Sequence, residues 1–253
     1  MSTVLVTRPG QDGEALCLNL QQRQINSLHH PLIKLTQGRD CASLIDDLSR
    51  SDIVIAVSQY AVVWSQHTLQ LTQQHFPTTP LYFAIGNKTA ECLQRYTQSP
   101  VISPQISDSE HLLDLPALKL VKNKRILILR GNGGRELIQQ TLQQRGAEVY
   151  YNEIYRRDSL PIDDVNQWEQ WKMQAVSHLV ITSGEQLAFF MSQVPKQYLP
   201  WVIQLKLYVP SLRIQQQAKE LGFSHIINTG SAANPVLLDC LSKTFTTGQK
   251  HDR

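Results

Sequence analysis

Four apolar residues, Ile126 to Leu129, lead into Arg130-Gly131-Asn132-Gly133-Gly134, and a stretch of helical spacing follows. Exposed backbone N–H groups and the positive end of a helix dipole converge at such a strand-to-helix turn, which makes it a natural seat for an anion. What the turn lacks narrows the choice. A Walker loop needs Lys-Ser/Thr after its last glycine, and the dinucleotide fingerprint needs a third glycine where this chain has Glu136. Neither nucleotide phosphate nor NAD is implied. The competing explanation is conformational, with Gly131, Gly133 and Gly134 supplying the positive φ angles of a tight turn.

Donor-bearing residues recur at the ends of other apolar runs. They are Thr7 and Arg8, Ser58, Gly86 to Thr89, Thr182 with Ser183, and Ser211. Each offers a hydroxyl, a guanidinium or backbone N–H groups at a helix start, and few acids accompany them, so a polyanion is the natural guest. Each Ser or Thr is equally explained as an ordinary helix N-cap. His29 and His30 read as loop residues. Cys17, Cys41, Cys92 and Cys240 are scattered without a C-x-x-C pair or a histidine at ligand spacing, so they read as reduced, mostly buried thiols and no metal site is expected.

The elements that position these residues are legible from periodicity. Short β-branched runs (VLV at 4 to 6, IVIAV at 53 to 57, LYFAI at 81 to 85, RILIL at 125 to 129, HLVIT at 178 to 182, KLYV at 206 to 209, HIIN at 225 to 228) alternate with amphipathic stretches such as GEALCLNLQQR and RIQQQAKELG. That alternation predicts α/β units around parallel sheets. Sliding the chain by 122 positions sets VLVTRPGQDGEALCLNLQQR over ILILRGNGGRELIQQTLQQR, so that Arg8 meets Arg130 and Glu14 meets Glu136. A second echo pairs IVIAVSQYAV with LVITSGEQLA, each a strand ending at a Ser that opens a helix. Two related open parallel-sheet lobes, Rossmann-like or flavodoxin-like, are therefore expected, with ligand sites beyond the carboxyl ends of their strands and a cleft between them.

HHPLIKL at 29 to 35 and NEIYRRDSLP at 152 to 161 carry Pro, β-branched and aromatic residues without helical period, and read as a two-stranded connector. Lobe one is then discontinuous, residues 1 to 35 plus 172 to 253, and lobe two spans 36 to 171.

Composition sets the limits. With 253 residues, 42% hydrophobic and 18% charged, the chain can bury full cores. No window approaches the roughly 18 apolar residues of a membrane span, and the opening MSTVLVTRPG lacks the architecture of a secretory signal, so a cytoplasmic protein without a membrane partner is expected. A formal charge of +3 is too small to argue for nucleic acid. A monomer is the default expectation.

Together these residues resemble the uroporphyrinogen-III synthase family. The features are VLVTRP at the amino end, HPLI, the Ser-x-x-Ala turn at Ser58, FAIGNKTA at 83 to 90, ILRGNGGRE at 128 to 136, RGAEVYYNEIYRR at 145 to 157 and VITSGE at 180 to 185, which run in family order over nearly the whole chain. The resemblance implies two α/β lobes joined by a two-stranded connector, and a substrate, hydroxymethylbilane, that is a linear tetrapyrrole bearing eight carboxylates. Whether the chain makes a transient contact with hydroxymethylbilane synthase, which makes that substrate, is left open by the resemblance. The implied reaction is loss of the ring A hydroxyl as water, attack by ring D at its substituted α-carbon, and reclosure with ring D inverted. The pyrrole nitrogen lone pair drives the first step, so no cofactor is implied.

By the same resemblance the Gly131 to Gly134 turn, with Asn132 and Arg130, would offer donors to acetate or propionate arms. Arg8, Ser58, Thr89, Thr182, Ser183 and Ser211 become substrate contacts, and Tyr155 becomes the acid that assists hydroxyl departure. Ser211 departs from the family pattern, since PSLR replaces a glycine-bearing turn. Two other readings stand beside this one: a non-catalytic two-lobed sensor for an acidic ligand, and a nucleotide-sugar transferase, for which no acidic residue is well placed at a strand end.

Overall fold

In the computed structural model, which describes residues 2–164 and 166–248, every one of the apolar runs above forms a strand. In chain order the strands are β1 (Thr3–Val6), β2 (Asn26–His29), β3 (Ile33–Gln37), β4 (Ile53–Ala56), β5 (Leu81–Ala84), β6 (Val101–Ile102), β7 (Arg125–Gly131), β8 (Glu148–Ser159), β9 (Val176–Val180), β10 (Lys206–Val209) and β11 (His225–Asn228). They build two sheets, a five-stranded one in the order β11-β10-β9-β1-β2 and a six-stranded one in the order β3-β8-β7-β4-β5-β6. Neighbours are parallel from β11 through β2 and from β8 through β6. Among the described residues no helix is long and apolar enough to cross a membrane.

Parallel strands are covered on both faces, so their residues alternate between two cores rather than between core and water. In the five-stranded sheet Leu5 joins Leu179, Leu207 and Phe190 on one face, while Val4 and Val6 join Leu16, Leu20 and Leu237 on the other. In the six-stranded sheet Val54, Ala56, Leu127 and Leu129 share one core, and Ile53, Ile55, Ile126 and Ile128 share the opposite one. This is why the runs read as continuously apolar and not as alternating.

The chain divides into two units, residues 1–34 with 158–253, and residues 35–157. The return to unit one comes at 157/158, not at the expected 172. The cause is the helix Gln167–Met173, whose Trp168 and Trp171 are each 2% exposed and pack in the unit-one core, Trp168 against Phe190 at 5.6 Å between ring centroids. Two buried indoles commit that helix to the unit that covers them. The expected connector pieces lie on the edge strand β3 and its neighbour β8. Gly38 N donates to Ile154 O and Leu160 N to Leu32 O, which makes this pair antiparallel. His29 belongs instead to β2.

The internal echo extends to strand register. Thr3 faces Asn26 across β1 and β2, and Arg125 faces Glu148 across β7 and β8, so the shift of 122 positions carries one pair onto the other. A shift of 125 positions, from Ser58 to Ser183, does the same for the remaining strands. Ile53 faces both Leu81 and Ile126 in unit two, and His178 faces both Lys206 and Val4 in unit one. Tyr82 facing Val101 corresponds in turn to Leu207 facing Ile226.

Even the helix ends agree. The helix Gly10–Gln22 closes with Ile25 N on Leu20 O and Gln24 at φ +60°, and the helix Leu137–Gln144 closes with Ala147 N on Leu142 O and Gly146 at φ +85°. The left-handed residue that ends a helix is glycine in one unit and an ordinary side chain in the other. Chain order differs between the units: the pair β7-β8 follows its three partners, whereas β1-β2 precedes them.

Candidate functional site

In unit two, the carboxyl ends of β4, β5 and β7 and the stretch of β8 from Tyr151 to Arg157 converge on a pocket of about 200 Å3. Its apolar wall is Val57, Ile85, Ile128 and Ile138, and its polar lining is Ser58, Ser109, Arg130, Arg135, Tyr151, Tyr155 and Arg157 with the backbone of Gly131, Gly133 and Gly134. Among these described residues there is no carboxylate. Arg135 is paired with Glu110 at 3.0 Å, outside the lining.

Each glycine of the turn has its own role. Only Gly134 has a positive φ, +125°, and so answers the conformational explanation. Gly131 ends β7 with a φ outside that region, and its missing side chain leaves space that the Tyr155 ring fills: a Cβ there would stand 2.7 Å from Cζ. A Cβ on Gly133 meets nothing within 4 Å, so that residue leaves its backbone open to approach. Asn132 is turned away from the pocket and extends the β7–β8 pairing. Its Oδ1 accepts from Arg157 N at 2.9 Å, and its Nδ2 donates to Arg157 O at 3.4 Å.

Arg130 is 7% exposed, and its guanidinium donates to Gly131 O and Gly134 O, both at 3.2 Å, and lies 4.2 Å from the centroid of the Tyr151 ring. Backbone carbonyls and an aromatic face hold this cation in place without neutralising it. Burial pushes the Tyr151 phenol up, and the charge of Arg130 opposes that rise. Tyr155 is 2% exposed, its hydroxyl 3.2 Å from Ser58 Oγ and 3.1 Å from an Arg157 Nη that donates to it. Ser58 is also the N-cap of the helix Gln59–Leu71, accepting from Ala61 N at 3.0 Å. Cap and phenol partner are therefore one residue.

Thr89 sits on the helix Asn87–Gln94, 5% exposed, and does not line the pocket. The N-cap of that helix, Gly86, packs so closely on Ser107 that a Cβ would collide with its side chain.

In unit one each of the named residues is engaged by other groups of the same unit. Arg8 donates to Ala232 O and Asn234 Oδ1, both at 2.5 Å, and pairs with Asp12 at 3.3 Å. Ser183 and Ser211 cap the helices Gly184–Gln193 and Leu212–Glu220, accepting from Gln186 N and Ile214 N. Thr182 presents both its N–H and its hydroxyl to Gln186 Oε1, at 2.8 and 3.3 Å. Gln186, 2% exposed, closes the brace by donating to Thr7 O at 2.6 Å, while the Thr7 hydroxyl donates to Val180 O at 2.6 Å. The turns after β1 and β9 are thus tied to each other by side chains.

Sequence reasoning passed over Tyr151, Arg157 and Gln186. The first two carry only a partial signal, since they share the strand-forming run of Tyr155. A register shift opposite Arg130 and Gly131 sets Tyr151 against one core of the sheet and Tyr155 in the other, so strand alternation does not group them. Gln186 had no signal, because its partner Thr7 lies 179 residues away. Of the thiols only Cys41 is buried, donating to Ile154 O at 3.2 Å, and the other three are half-buried, so the expectation of mostly buried thiols does not hold. The described residues contain no group of three or more His, Cys, Asp or Glu able to hold a metal ion.

The family model "Uroporphyrinogen-III synthase HemD" matches residues 14–233. The chain is 39% identical over 244 residues to the uroporphyrinogen-III synthase of Escherichia coli (strain K12), covering 94% of this chain and 99% of that one, and it matches the enzyme of Salmonella typhimurium to the same extent. Among solved structures, a mutant uroporphyrinogen III synthase from the extremely thermophilic bacterium Thermus thermophilus aligns over 100% of both chains with a TM-score of 0.63 at 15% identity. A uroporphyrinogen-III synthetase from Helicobacter pylori 26695 aligns over 95% of this chain and 98% of its own, with a TM-score of 0.60 at 15% identity. At that identity the two structures speak for the fold.

Proposed function

The chain belongs to the uroporphyrinogen-III synthase family, the cyclising lyases of tetrapyrrole biosynthesis, and from that premise we propose how its unit-two pocket takes part in the reaction. The substrate is hydroxymethylbilane, and the pocket receives one of its acidic arms. A volume of about 200 Å3 is below the 300–1,000 Å3 of sites that enclose a drug-sized ligand, so it suits one side arm of a linear tetrapyrrole and not the whole molecule. The observation that carries this reading is the acid-free lining, in which the buried Arg130 meets no carboxylate while exposed backbone at Gly133 and Gly134 stands beside it. A bound carboxylate supplies the charge the pocket lacks.

Tyr155 is the group proposed to share a proton with the departing ring A hydroxyl. A phenol can do so without becoming a buried charge in the resting state. The substrate closes without inversion on its own, so the protein has to favour one closure over another. A hundredfold preference needs only about 2.7 kcal/mol of differential transition-state binding, which a few charge-assisted contacts supply. Positioning of the acidic arms and of the Tyr155 hydroxyl carries the catalysis, and Arg8, Thr182, Ser183 and Ser211 support it by shaping the strand ends of unit one.

The test is to add the purified protein to freshly generated hydroxymethylbilane, oxidise the products and separate the uroporphyrin isomers by chromatography. Type III in excess is the expected outcome. Type I alone, at the spontaneous rate, would replace this reading with that of a non-catalytic sensor.

A further inference from the structure

We infer that Arg157 is the positioning residue for the Tyr155 phenol, an inference that rests on the proposed role of Tyr155. A guanidinium has only donors, so the 3.1 Å contact between Arg157 Nη and the Tyr155 oxygen runs in one direction, with the phenol accepting. A phenol proton lies near the ring plane in one of two orientations, and an orientation that faces a cation is closed to it. The proton is left to Ser58 Oγ, 3.2 Å away, or to a ligand in the pocket that all three residues line. Ser58 already accepts from Ala61 N, which leaves it one lone pair with which to hold the phenol proton between turnovers.

Arg157 is itself held for this task. Both of its backbone polar groups are clasped by the Asn132 side chain, and its Cζ lies 5.6 Å from the centroid of the Tyr155 ring. The clasp also accounts for an asparagine in the middle of a glycine turn: it ties the turn that offers backbone donors to the residue that orients the phenol. The Arg157 side chain as a whole is exposed, so truncating it removes no core packing, and the folded protein tolerates the test.

The experiment is a double-mutant cycle read by steady-state kinetics on hydroxymethylbilane, with isomer analysis of the products. Arg157→Ala is expected to lower kcat about tenfold, the loss of one charge-assisted hydrogen bond of about 1.4 kcal/mol, with KM nearly unchanged. Arg157→Lys restores part of that loss. In a Tyr155→Phe background Arg157→Ala has no further effect, because the group it orients is gone.

A loss that simply adds to that of Tyr155→Phe, or an unchanged kcat, overturns the inference. A raised KM with kcat unchanged also overturns it and makes Arg157 a ligand for a substrate carboxylate instead. Failure of the functional reading is distinct, because the unmodified protein would then give type I alone.

Discussion

Gly131 and Tyr155 are complementary surfaces. The place where a Cβ would stand on Gly131 is 2.7 Å from Cζ and 3.0 Å from the hydroxyl oxygen of Tyr155. A residue with any side chain at 131 displaces the phenol from Ser58. Gly131→Ala is therefore expected to cost about 1–3 kcal/mol by overpacking and to lower turnover at least as much as removing the hydroxyl. Thermal melting with isomer-resolved kinetics checks both parts, and an alanine variant with unchanged kcat would show that the ring position is irrelevant to catalysis.

Tyr155→Phe keeps the ring that packs in the unit-two core and deletes only the atom shared with Ser58 and Arg157. Turnover is expected to fall by about 10²-fold, the lower range for a general acid, while product binding stays nearly intact. Calorimetric titration with product and single-turnover kinetics separate the two. Activity within twofold of the parent removes Tyr155 from the acid role.

Gly133 and Gly134 are adjacent and should behave oppositely. Gly134 holds a φ of +125°, which an alanine adopts only with strain, so Gly134→Ala is expected to destabilise by about 1–3 kcal/mol. Gly133→Ala meets open space and leaves the melting temperature nearly unchanged. If its KM nonetheless rises, the new methyl lies in the path of the ligand. Equal melting shifts for the two variants would contradict the assignment.

His178 gives stability a pH dependence of definite sign. It is 8% exposed, packed between Tyr208 and Phe245, and burial first and the charge of Lys206 second bring its pKa down to about 4. Between that value and the unfolded value near 6.5 only the unfolded chain binds the proton. The stabilising contribution of the neutral imidazole is complete above pH 6.5 and is lost as pH falls toward 4, by up to about 3 kcal/mol. Denaturant unfolding at pH 7 and pH 4.5 should show a larger loss for the parent than for His178→Leu. Equal losses would mean that the imidazole titrates freely in the fold.

What the sequence determined by itself is everything that near neighbours decide. Runs such as RILIL and KLYV form strands because β-branched and apolar side chains fit a pleat covered on both faces, and Ser58, Ser183 and Ser211 open helices because a hydroxyl two or three residues ahead of free N–H groups caps them. The echo between the two halves was legible for the same reason, since the same local patterns impose the same elements. Only the tertiary structure decided which residues meet across long stretches of chain. The Tyr155 ring selects glycine at 131, Gln186 braces Thr7, Trp168 and Trp171 draw the unit boundary back to 157/158, and Asn132 serves Arg157 rather than the pocket. Those pairings depend on the path of the whole chain, because a contact between residues 24 or 179 positions apart leaves no periodic trace in the residues between them.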